Sequence, residues 1–410
     1  MKVFNTFDTE LRYNLLILFT AGLLFWSSVA SLLPTLPLYL EYVGATKQQI
    51  GIITGSFAVG LLLTRPMLGR LADERGRKFL LLIGTIVAAI APFGYLATQA
   101  IGLLILVRIF HGVSIAAFTT GYSALIADLA PAQKRGEVIS YMSLATPLGL
   151  AIGPALGGFL QATTTYGVLF LFSAELGFVA LLAIVQVTNP PLQRQEPTPD
   201  NDRKFWQILS SPRVRVPTLI MLLVGLSVGT VHTFVSLFIK STQIEFNGGL
   251  FFTVGAISSF TTRVFAGKAS DRFGRGLFIT FGIICYILAL LLLWQANGVG
   301  SFVLAAIFEG SGSGTVISMI VTMMADRSLP QERGRIFAIC VTGFDLGIAI
   351  AAPVLGSIAE QVGYCSMFGY GAAITFVALV IFFTKSSKDL SQSLRFALGR
   401  APDTYALNKL

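Results

Sequence analysis

Charged and metal-ligating residues are scarce in this 410-residue chain, of which only 12% is Asp, Glu, Lys or Arg. Its three cysteines, Cys285, Cys340 and Cys365, fall in apolar stretches at no metal-ligand spacing, so neither a disulfide framework nor a metal site is expected. The sequence also lacks a phosphate-binding Gly-rich loop and a Ser/His/Asp constellation. These absences argue against an enzyme, against an ATP-binding domain and against a resident cofactor.

Apolar residues dominate the chain instead, at 54% of the sequence with a mean hydropathy of +0.76. A soluble domain of this length does not carry such a composition, which is typical of a membrane protein. Apolar runs of about 20 residues, each long enough to cross the bilayer as a helix, recur along the chain. We place twelve predicted spans at residues 13–40, 47–69, 79–98, 101–127, 137–161, 166–188, 216–240, 247–267, 277–297, 299–325, 336–360 and 364–385.

The positions of the basic residues predict the topology. Of the 29 Lys and Arg, 24 lie in the N-terminus, the C-terminal tail and the loops after the even-numbered spans, and only Lys47 and Lys240 lie at the opposite face. The positive-inside rule then places both termini in the cytoplasm, as expected for a multi-pass protein of a bacterial-type inner membrane. The net charge of +9 therefore marks topology and does not indicate nucleic acid as a partner.

The sequence contains an internal duplication with an offset of 198 residues. "RPMLGRLADERGR" from Arg65 aligns with "RVFAGKASDRFGR" from Arg263, and the same offset relates Asp128 to Asp326 and Gly149 to Gly347. A repeat of six spans preserves orientation, so the halves are predicted to be parallel repeats. We expect an all-α membrane protein of 6+6 helices related by a pseudo-twofold axis.

Four regions follow from this repeat. Residues 1–188 are predicted to form an N-terminal six-helix bundle and residues 216–385 a C-terminal one, with 386–410 as a cytoplasmic tail. The polar, Pro-rich residues 189–215 between the bundles indicate a cytoplasmic linker. Its "RKFWQIL" portion is expected to form an interfacial helix through Phe205, Trp206 and Leu209.

The stretch "GRLADERGRK", Gly69 to Lys78, resembles the loop signature of the major facilitator superfamily, and the resemblance covers nearly the whole chain. It implies a transporter with a cytoplasmic latch that is intact when the carrier opens outward and broken when it opens inward. The alternative is a loop that only marks topology by its positive charge. The predicted gate residues are Gly69, Asp73, Gly76, Arg77, Asp128, Gly267, Asp271, Arg275 and Asp326.

A narrower resemblance concerns the fourth and fifth spans. "GLAIGPALGG" from Gly149 is similar to the motif of the twelve-helix drug:proton antiporter branch, and "RIFHGVSIAA" resembles that branch's Arg-containing signature, with His111 where Gln is usual. The motif residues are Gly149, Gly153, Pro154, Gly157 and Gly158. The glycines repeat every four residues and Pro154 bends the helix, so this face is expected to contact the other half. The alternative is ordinary small-residue packing.

Ionisable residues inside predicted spans are candidate functional groups, because burying them in hydrocarbon is costly. Six qualify: Arg108, His111, Glu175, His232, Glu309 and Asp345. Counting from the span ends, Glu309 and Asp345 share one level near the midplane, and a buried acid can exchange a proton near neutral pH. We favour these two as proton-coupling or cation-binding groups over a structural role. His111 is the repeat mate of Glu309, Glu175 ranks lower, and His232 is a weak cavity candidate.

By resemblance, Arg108 assists proton exchange, and the chain is expected to be a secondary active transporter. The favoured activity is proton-coupled efflux of small amphipathic or drug-like molecules by alternating access. The alternatives are export of a dedicated metabolite such as a sugar, siderophore or lipid-like molecule, and a non-transporting receptor or scaffold on the same fold. The expected partners are a small-molecule substrate, protons and the lipid bilayer, with the monomer as the functional form.

Overall fold

The computed structural model describes residues 7–131, 134–188, 207–329 and 332–407, and this part of the chain is helical without strands. The first seven helices are α1 (Thr9–Ser31), α2 (Leu36–Tyr42), α3 (Lys47–Arg75), α4 (Arg77–Ala97), α5 (Ile101–Leu129), α6 (Arg135–Met142) and α7 (Ala145–Thr163). The next seven are α8 (Tyr166–Gln186), α9 (Pro212–Ser241), α10 (Gly248–Phe273), α11 (Arg275–Trp294), α12 (Val299–Asp326), α13 (Arg333–Lys385) and α14 (Leu390–Ala397). The all-α prediction is confirmed.

Eleven helical segments of the described chain are long and apolar enough to cross a membrane. The last of them, Arg335–Lys385, has 51 residues, and Gly363 interrupts it with φ 79° and ψ 170°. Only glycine adopts that left-handed conformation without strain, so the chain turns there and the segment divides into two. The structure therefore contains the twelve predicted spans.

The duplication is visible in the backbone. Gly76 and Gly274, which are 198 residues apart, precede α4 and α11 with φ angles of 93° and 86°. The same offset relates the first residue of α5, Ile101, to that of α12, Val299. A side chain at either glycine would strain the turn that starts the following helix.

Two compact units make up the fold. The first consists of the described residues of Met1–Ala45, Ile52–Pro197 and Asn247–Thr253, and the second of those of Thr46–Gly51, Thr198–Phe246 and Val254–Leu410. Phe25 and Phe118 stack in the core of the first unit with ring centroids 3.8 Å apart. Tyr286 and Phe382 are buried in the core of the second. Each unit thus has its own apolar core.

The second unit differs from the sequence prediction at both ends. Its first membrane-spanning helix, α9, begins at Pro212 rather than at residue 216, and Leu209 of the predicted linker packs against the core. Phe205 and Trp206 lie outside the described residues, so the predicted interfacial helix is not described there. The predicted tail contains α14, which packs on α11 and α13.

The glycine face of α7 packs against α1 of the same unit. Added Cβ atoms at Gly149, Gly153 and Gly157 would meet Trp26, the Ser27 carbonyl and the Ser31 carbonyl respectively. These three glycines thus pack against α1, and the expectation that the face also contacts the other half stays a prediction. The contact is close because the glycines recur every four residues on one face of α7, which lets the backbones of two helices of one bundle approach each other.

Gly158 has different neighbours. A Cβ there would meet Asn247 and Gly249, the second of which is at the start of α10, and Asn247 Nδ2 donates to the Gly158 carbonyl at 3.0 Å. Residues 247–253 belong to the first unit. The last glycine of the motif thus packs on the beginning of α10.

We expect Gly153→Ala to destabilise the protein by about 1–3 kcal/mol, because the new methyl overlaps the Ser27 carbonyl in a packed helix contact. Thermal unfolding in detergent measures this. Gly102→Ala is the matched control, since nothing lies within 4 Å of a Cβ at Gly102. Equal melting temperatures for the two variants would contradict the close α1–α7 contact.

Candidate functional site

The first unit buries a cation among aromatic rings. Arg108 on α5 is 6% exposed, and its guanidinium carbon lies 4.3 Å from the centroid of the Phe57 ring. Its Nη1 is 3.5 Å from the Tyr95 hydroxyl, which lies 3.1 Å from Nδ1 of the fully buried His111. Arg108, Tyr95 and His111 thus form a polar chain that joins α4 to α5.

This cluster is only partly satisfied. Nε of Arg108 and Nε2 of His111 are buried without a hydrogen-bond partner among the described residues. The face of Phe57 stabilises the guanidinium through a cation–π interaction, which is stronger where water is excluded. The arrangement therefore holds a positive charge inside the membrane-spanning part of the first unit.

The second unit pairs an acid with a histidine. Oε1 of Glu309 on α12 lies 3.6 Å from Nε2 of His232 on α9, and their side chains are 9% and 34% exposed. The acid is nearly buried, whereas the imidazole is partly accessible. A protonated His232 would compensate the charge of the carboxylate at this distance.

Glycines make room for this carboxyl group. A Cβ at Gly255 would lie 3.1 Å from Oε2 of Glu309, and Gly310, the next residue on α12, packs on the Gly255 backbone. The helices α10 and α12 thus approach closely beside Oε2 of Glu309. The other carboxyl oxygen, Oε1, is the one near His232. Glu309 thus lies in a narrow site with an accessible imidazole on one side.

Asp345 is half-buried on α13. Its neighbour Phe344 packs against Gly225 of α9, whereas Glu309 meets α9 at His232. Seven helical residues separate Gly225 from His232, which is about 10 Å along the axis. The expectation that the two acids share one level stays a prediction.

Glu175, the sixth ionisable residue predicted to be buried, is exposed on α8. It lies on the same side of the helix as Leu171 and Phe178, which are 50% and 53% exposed. The structure thus separates Glu175 from the enclosed groups, in agreement with its low rank in the sequence analysis.

Both predicted cytoplasmic ion pairs form. Arg77 Nε lies 3.2 Å from Asp128 Oδ2, and Arg275 Nε lies 2.5 Å from Asp326 Oδ2. Each pair is within one unit and joins the start of one helix to the end of the next, α4 to α5 and α11 to α12. The pairs therefore fasten neighbouring helices of the same bundle at equivalent positions of the repeat.

The remaining gate residues are partly described. Nothing lies within 4 Å of a Cβ placed at Gly69 or Gly267, so these glycines are not required by close packing within the described structure. The side chains of Asp73 and Asp271 lie outside the described part of the chain. Their predicted role in the latch stays a prediction.

Sequence reasoning missed Tyr95 and Phe57 and underrated His232. Tyr95 is 16 residues from His111 and has no motif around it, and nothing in the apolar pattern of α4 distinguishes it from its neighbours. His232 carried one usable signal, since it is one of only two histidines and lies within a predicted span. Its partner could not be identified before the helix rotations were known.

The pattern of these sites agrees with the comparison to known families. The Major Facilitator Superfamily model matches residues 18–260 and 242–403, which together cover nearly the whole chain. The chain belongs to the major facilitator superfamily. It is accordingly a transporter and not an enzyme, and the family expectation from "GRLADERGRK" is confirmed.

Curated relatives of this transporter include drug-resistance proteins. It is 27% identical over 302 residues to the Quinolone resistance protein NorA of Staphylococcus aureus (strain MSSA476), covering 71% of this chain and 76% of that protein. It is 25% identical over 394 residues to the Multidrug resistance protein MdtG of Serratia proteamaculans (strain 568), covering 91% and 92%.

Solved structures show the same fold at low identity. The nucleoside transporter NupG superposes on this transporter with a TM-score of 0.73 at 16% identity, covering 90% of this chain and 99% of that one. A bacterial homologue of the human lysosomal transporter Spinster gives 0.71 at 16% identity, covering 98% and 100%. These neighbours show the major facilitator fold.

We expect Tyr95→Phe to destabilise the transporter by about 1–3 kcal/mol, because Arg108 and His111 both lose the hydroxyl between them while staying buried. Thermal unfolding in detergent is the measurement. Tyr42→Phe, in which the altered ring is 71% exposed, is the control and is expected to melt like the parent. A Tyr95→Phe protein as stable as this control would show that the hydroxyl does not hold the cluster together.

Proposed function

We propose that this transporter exports small amphipathic or drug-like molecules in exchange for protons, by alternating access. The observation that carries the proposal is the contact of Glu309 with His232 at 3.6 Å inside the membrane-spanning part of the second unit. An acid enclosed by α10 and α12, with a partly exposed imidazole as its partner, is suited to exchange a proton.

The pair has two stable states of charge. With Glu309 ionised and His232 protonated, the two attract each other, and the buried charge is compensated. When a proton is transferred to Glu309, the acid becomes neutral and its attraction to any cation is lost. Proton binding and the binding of a cationic group therefore compete at one carboxyl group, which is the basic requirement of an antiporter.

One transport cycle follows from this competition. The deprotonated carboxylate of Glu309 binds a cationic or polar group of the substrate on the inner side. After the carrier has reoriented, a proton from the outer side neutralises Glu309 and the substrate leaves. The protonated form returns and releases the proton inside, so that one proton enters for each substrate that leaves.

Arg108 contributes a fixed charge in the first unit. Because its guanidinium is buried against Phe57, it favours the deprotonated form of any acid that approaches it, and it repels protons and cations from that region. We assign it an electrostatic role in proton exchange. We assign His111 to the support of this cluster through Tyr95.

The substrate class is supported by the relatives and not by the fold alone. NorA and MdtG are named as quinolone and multidrug resistance proteins, and the motif "GLAIGPALGG" resembles that of drug:proton antiporters. The basic residues at the predicted inner face support an inner-membrane location with cytoplasmic termini. We propose the monomer as the functional form.

The ion pairs Arg77–Asp128 and Arg275–Asp326 are proposed to act in the cytoplasmic gate. Each fastens the inner ends of two helices while the carrier is open to the outside, and each must loosen for the inner side to open. Partial exposure weakens such pairs to roughly 1 kcal/mol or less, which permits rapid breaking. They therefore bias the conformational equilibrium without locking it.

We expect Glu309→Gln to reduce pH-gradient-driven transport by about a hundredfold or more, because the amide cannot bind or release a proton. Proteoliposomes with an imposed pH gradient, a fluorescent lipophilic cation or a quinolone as substrate, and an internal pH indicator measure both fluxes. Glu175→Gln is the matched control, since it removes an exposed carboxyl group from another membrane-spanning helix. The proposal fails if both variants move substrate and protons like the parent.

A panel of polar metabolites in the same assay distinguishes the alternative substrate class. The carrier would be assigned to a dedicated metabolite if it transports a sugar with the same dependence on Glu309 and does not transport the lipophilic compounds. Absence of any pH-gradient-dependent flux would instead favour a receptor or scaffold.

We expect Asp128→Asn to change the transport rate severalfold while unfolding changes by no more than about 1 kcal/mol, because the pair is partly exposed. Substrate binding should change less than the rate. Restoring the pair in reversed order, with Arg77→Asp and Asp128→Arg together, should recover part of the activity. Glu137→Gln, at an exposed acid on α6, controls for loss of negative charge. A loop that only marks topology would tolerate Asp128→Asn.

A further inference from the structure

The C-terminal helix α14 presents an exposed leucine stripe. Leu390, Leu394 and Leu398 recur every four residues and are 57%, 38% and 45% exposed. Residues with this spacing lie on one face of a helix. No feature of the transport mechanism above accounts for three exposed leucines on a helix of eight residues and its C-cap.

The flank of α14 next to the stripe packs on the protein. Ser393, Phe396 and Ala397 are buried, the Ala397 carbonyl accepts a hydrogen bond from Thr280 Oγ1 at 2.8 Å, and the Phe396 carbonyl packs against Gly276. Gly276 and Thr280 belong to the first two turns of α11. The helix is therefore held in one orientation, and the exposure of the leucines is a fixed property.

The position of α14 along the membrane normal follows from its connections. Membrane-spanning helix α13 ends at Lys385, and α14 begins at Leu390, so the two ends are at most about 18 Å apart. Its contacts with Gly276 and Thr280 place it beside the start of a second membrane-spanning helix. α14 thus lies at the level where helices leave the hydrocarbon, which is the headgroup region.

Successive residues of a helix are rotated by about 100° around its axis, and this rotation divides the surface of α14 into three flanks. The leucine stripe is centred about a quarter turn from the buried flank, Ser391 borders the stripe beside Leu398, and Arg395 occupies the remaining exposed flank. An apolar flank between a protein-facing flank and a polar one is the pattern of a helix that lies in the membrane interface.

The charges around the stripe indicate the type of lipid. Lys385, Lys388, Arg395 and Arg400 are exposed close to it. The exposed acid Asp389 caps the helix by accepting a hydrogen bond from the Gln392 N–H at 2.8 Å. The local excess of positive charge favours negatively charged headgroups, at roughly 1 kcal/mol per basic residue near the surface.

We propose that α14 is a membrane-surface anchor that inserts Leu390, Leu394 and Leu398 into the bilayer and binds anionic phospholipid headgroups through its flanking basic residues. The bilayer is the occupant that its position favours, because both helices that hold α14 span the membrane. The anchor is independent of the substrate and of the direction of transport.

The anchor is connected to the ion pair of the second unit. After α14 the chain returns to α12, where the Leu407 N–H donates to the Asp326 carbonyl at 2.8 Å. Arg327, the next residue, is fully buried and forms a bidentate pair with Asp403, at 2.7 and 3.0 Å. Lipid binding at α14 therefore acts on the segment that holds Asp326 beside Arg275.

Site-directed spin labelling of the full-length transporter in nanodiscs tests the anchor. In a Cys365→Ser background, which removes the exposed cysteine, Leu394→Cys carries the label, and Arg395→Cys on the polar flank is the matched control. Collision with membrane-soluble oxygen and with a water-soluble nickel chelate reports the surroundings of each label. Leu398→Cys provides a second position on the stripe.

In phosphatidylcholine containing phosphatidylglycerol, the labels at Leu394 and Leu398 are expected to collide severalfold more with oxygen than with nickel, and the Arg395 label to show the reverse. Lys388→Gln with Arg395→Gln should weaken this preference, as should nanodiscs of phosphatidylcholine alone.

Equal nickel accessibility at all three positions would overturn the proposal. Labels shielded from both reagents, with dipolar coupling between chains, would identify a second copy as the occupant and would also overturn it. An oxygen preference that is the same in both lipids and in the charge variant would overturn the anionic-headgroup part.

Discussion

The absence of water from the bilayer core is the constraint on which this structure depends. Backbone groups are satisfied within helices, and every charge inside the apolar region requires a partner supplied by the protein. Arg108 is stabilised by the Phe57 ring and the Tyr95 hydroxyl, and Glu309 by His232. Arg327 at the C-terminal end of α12 is satisfied by Asp403.

The duplication shows how the two units diverged under that constraint. At positions related by 198 residues, His111 corresponds to Glu309, and Arg108 to Ala306. One unit therefore holds a buried cation and the other a buried acid, on equivalent helices α5 and α12. The repeat thus preserved the helices while the ionisable groups on them changed from cationic to acidic.

The fold followed closely from the sequence because span length, basic-residue placement and the repeat are properties of the chain itself. The turns at Gly76 and Gly274 could also be located, since a Gly after a charged helix end favours a left-handed backbone. The two ion pairs were predictable because the repeat supplied the same pattern twice.

The side-chain partners of the buried groups were less predictable. Helices α5 and α12 are apolar over most of their circumference, so periodicity does not determine which face turns toward which neighbour. Asp345 and Glu309 were for that reason placed at one level by counting, and His232 was not identified as the partner of Glu309. The glycines of α7 illustrate the same limit, since their spacing predicted a close helix contact but not that α1 would make it.

Arg327 also has a consequence for biosynthesis. It takes the place of Leu129 in the repeat, and its partner Asp403 follows 76 residues later in the chain. During translation α12 is inserted while this guanidinium still lacks the carboxylate that will satisfy it. The second unit therefore reaches its final packing only after Asp403 has been synthesised, and a ribosome stalled before that point leaves a charge exposed at the helix end. Assembly of the second unit is thus tied to completion of the segment that follows its last membrane-spanning helix.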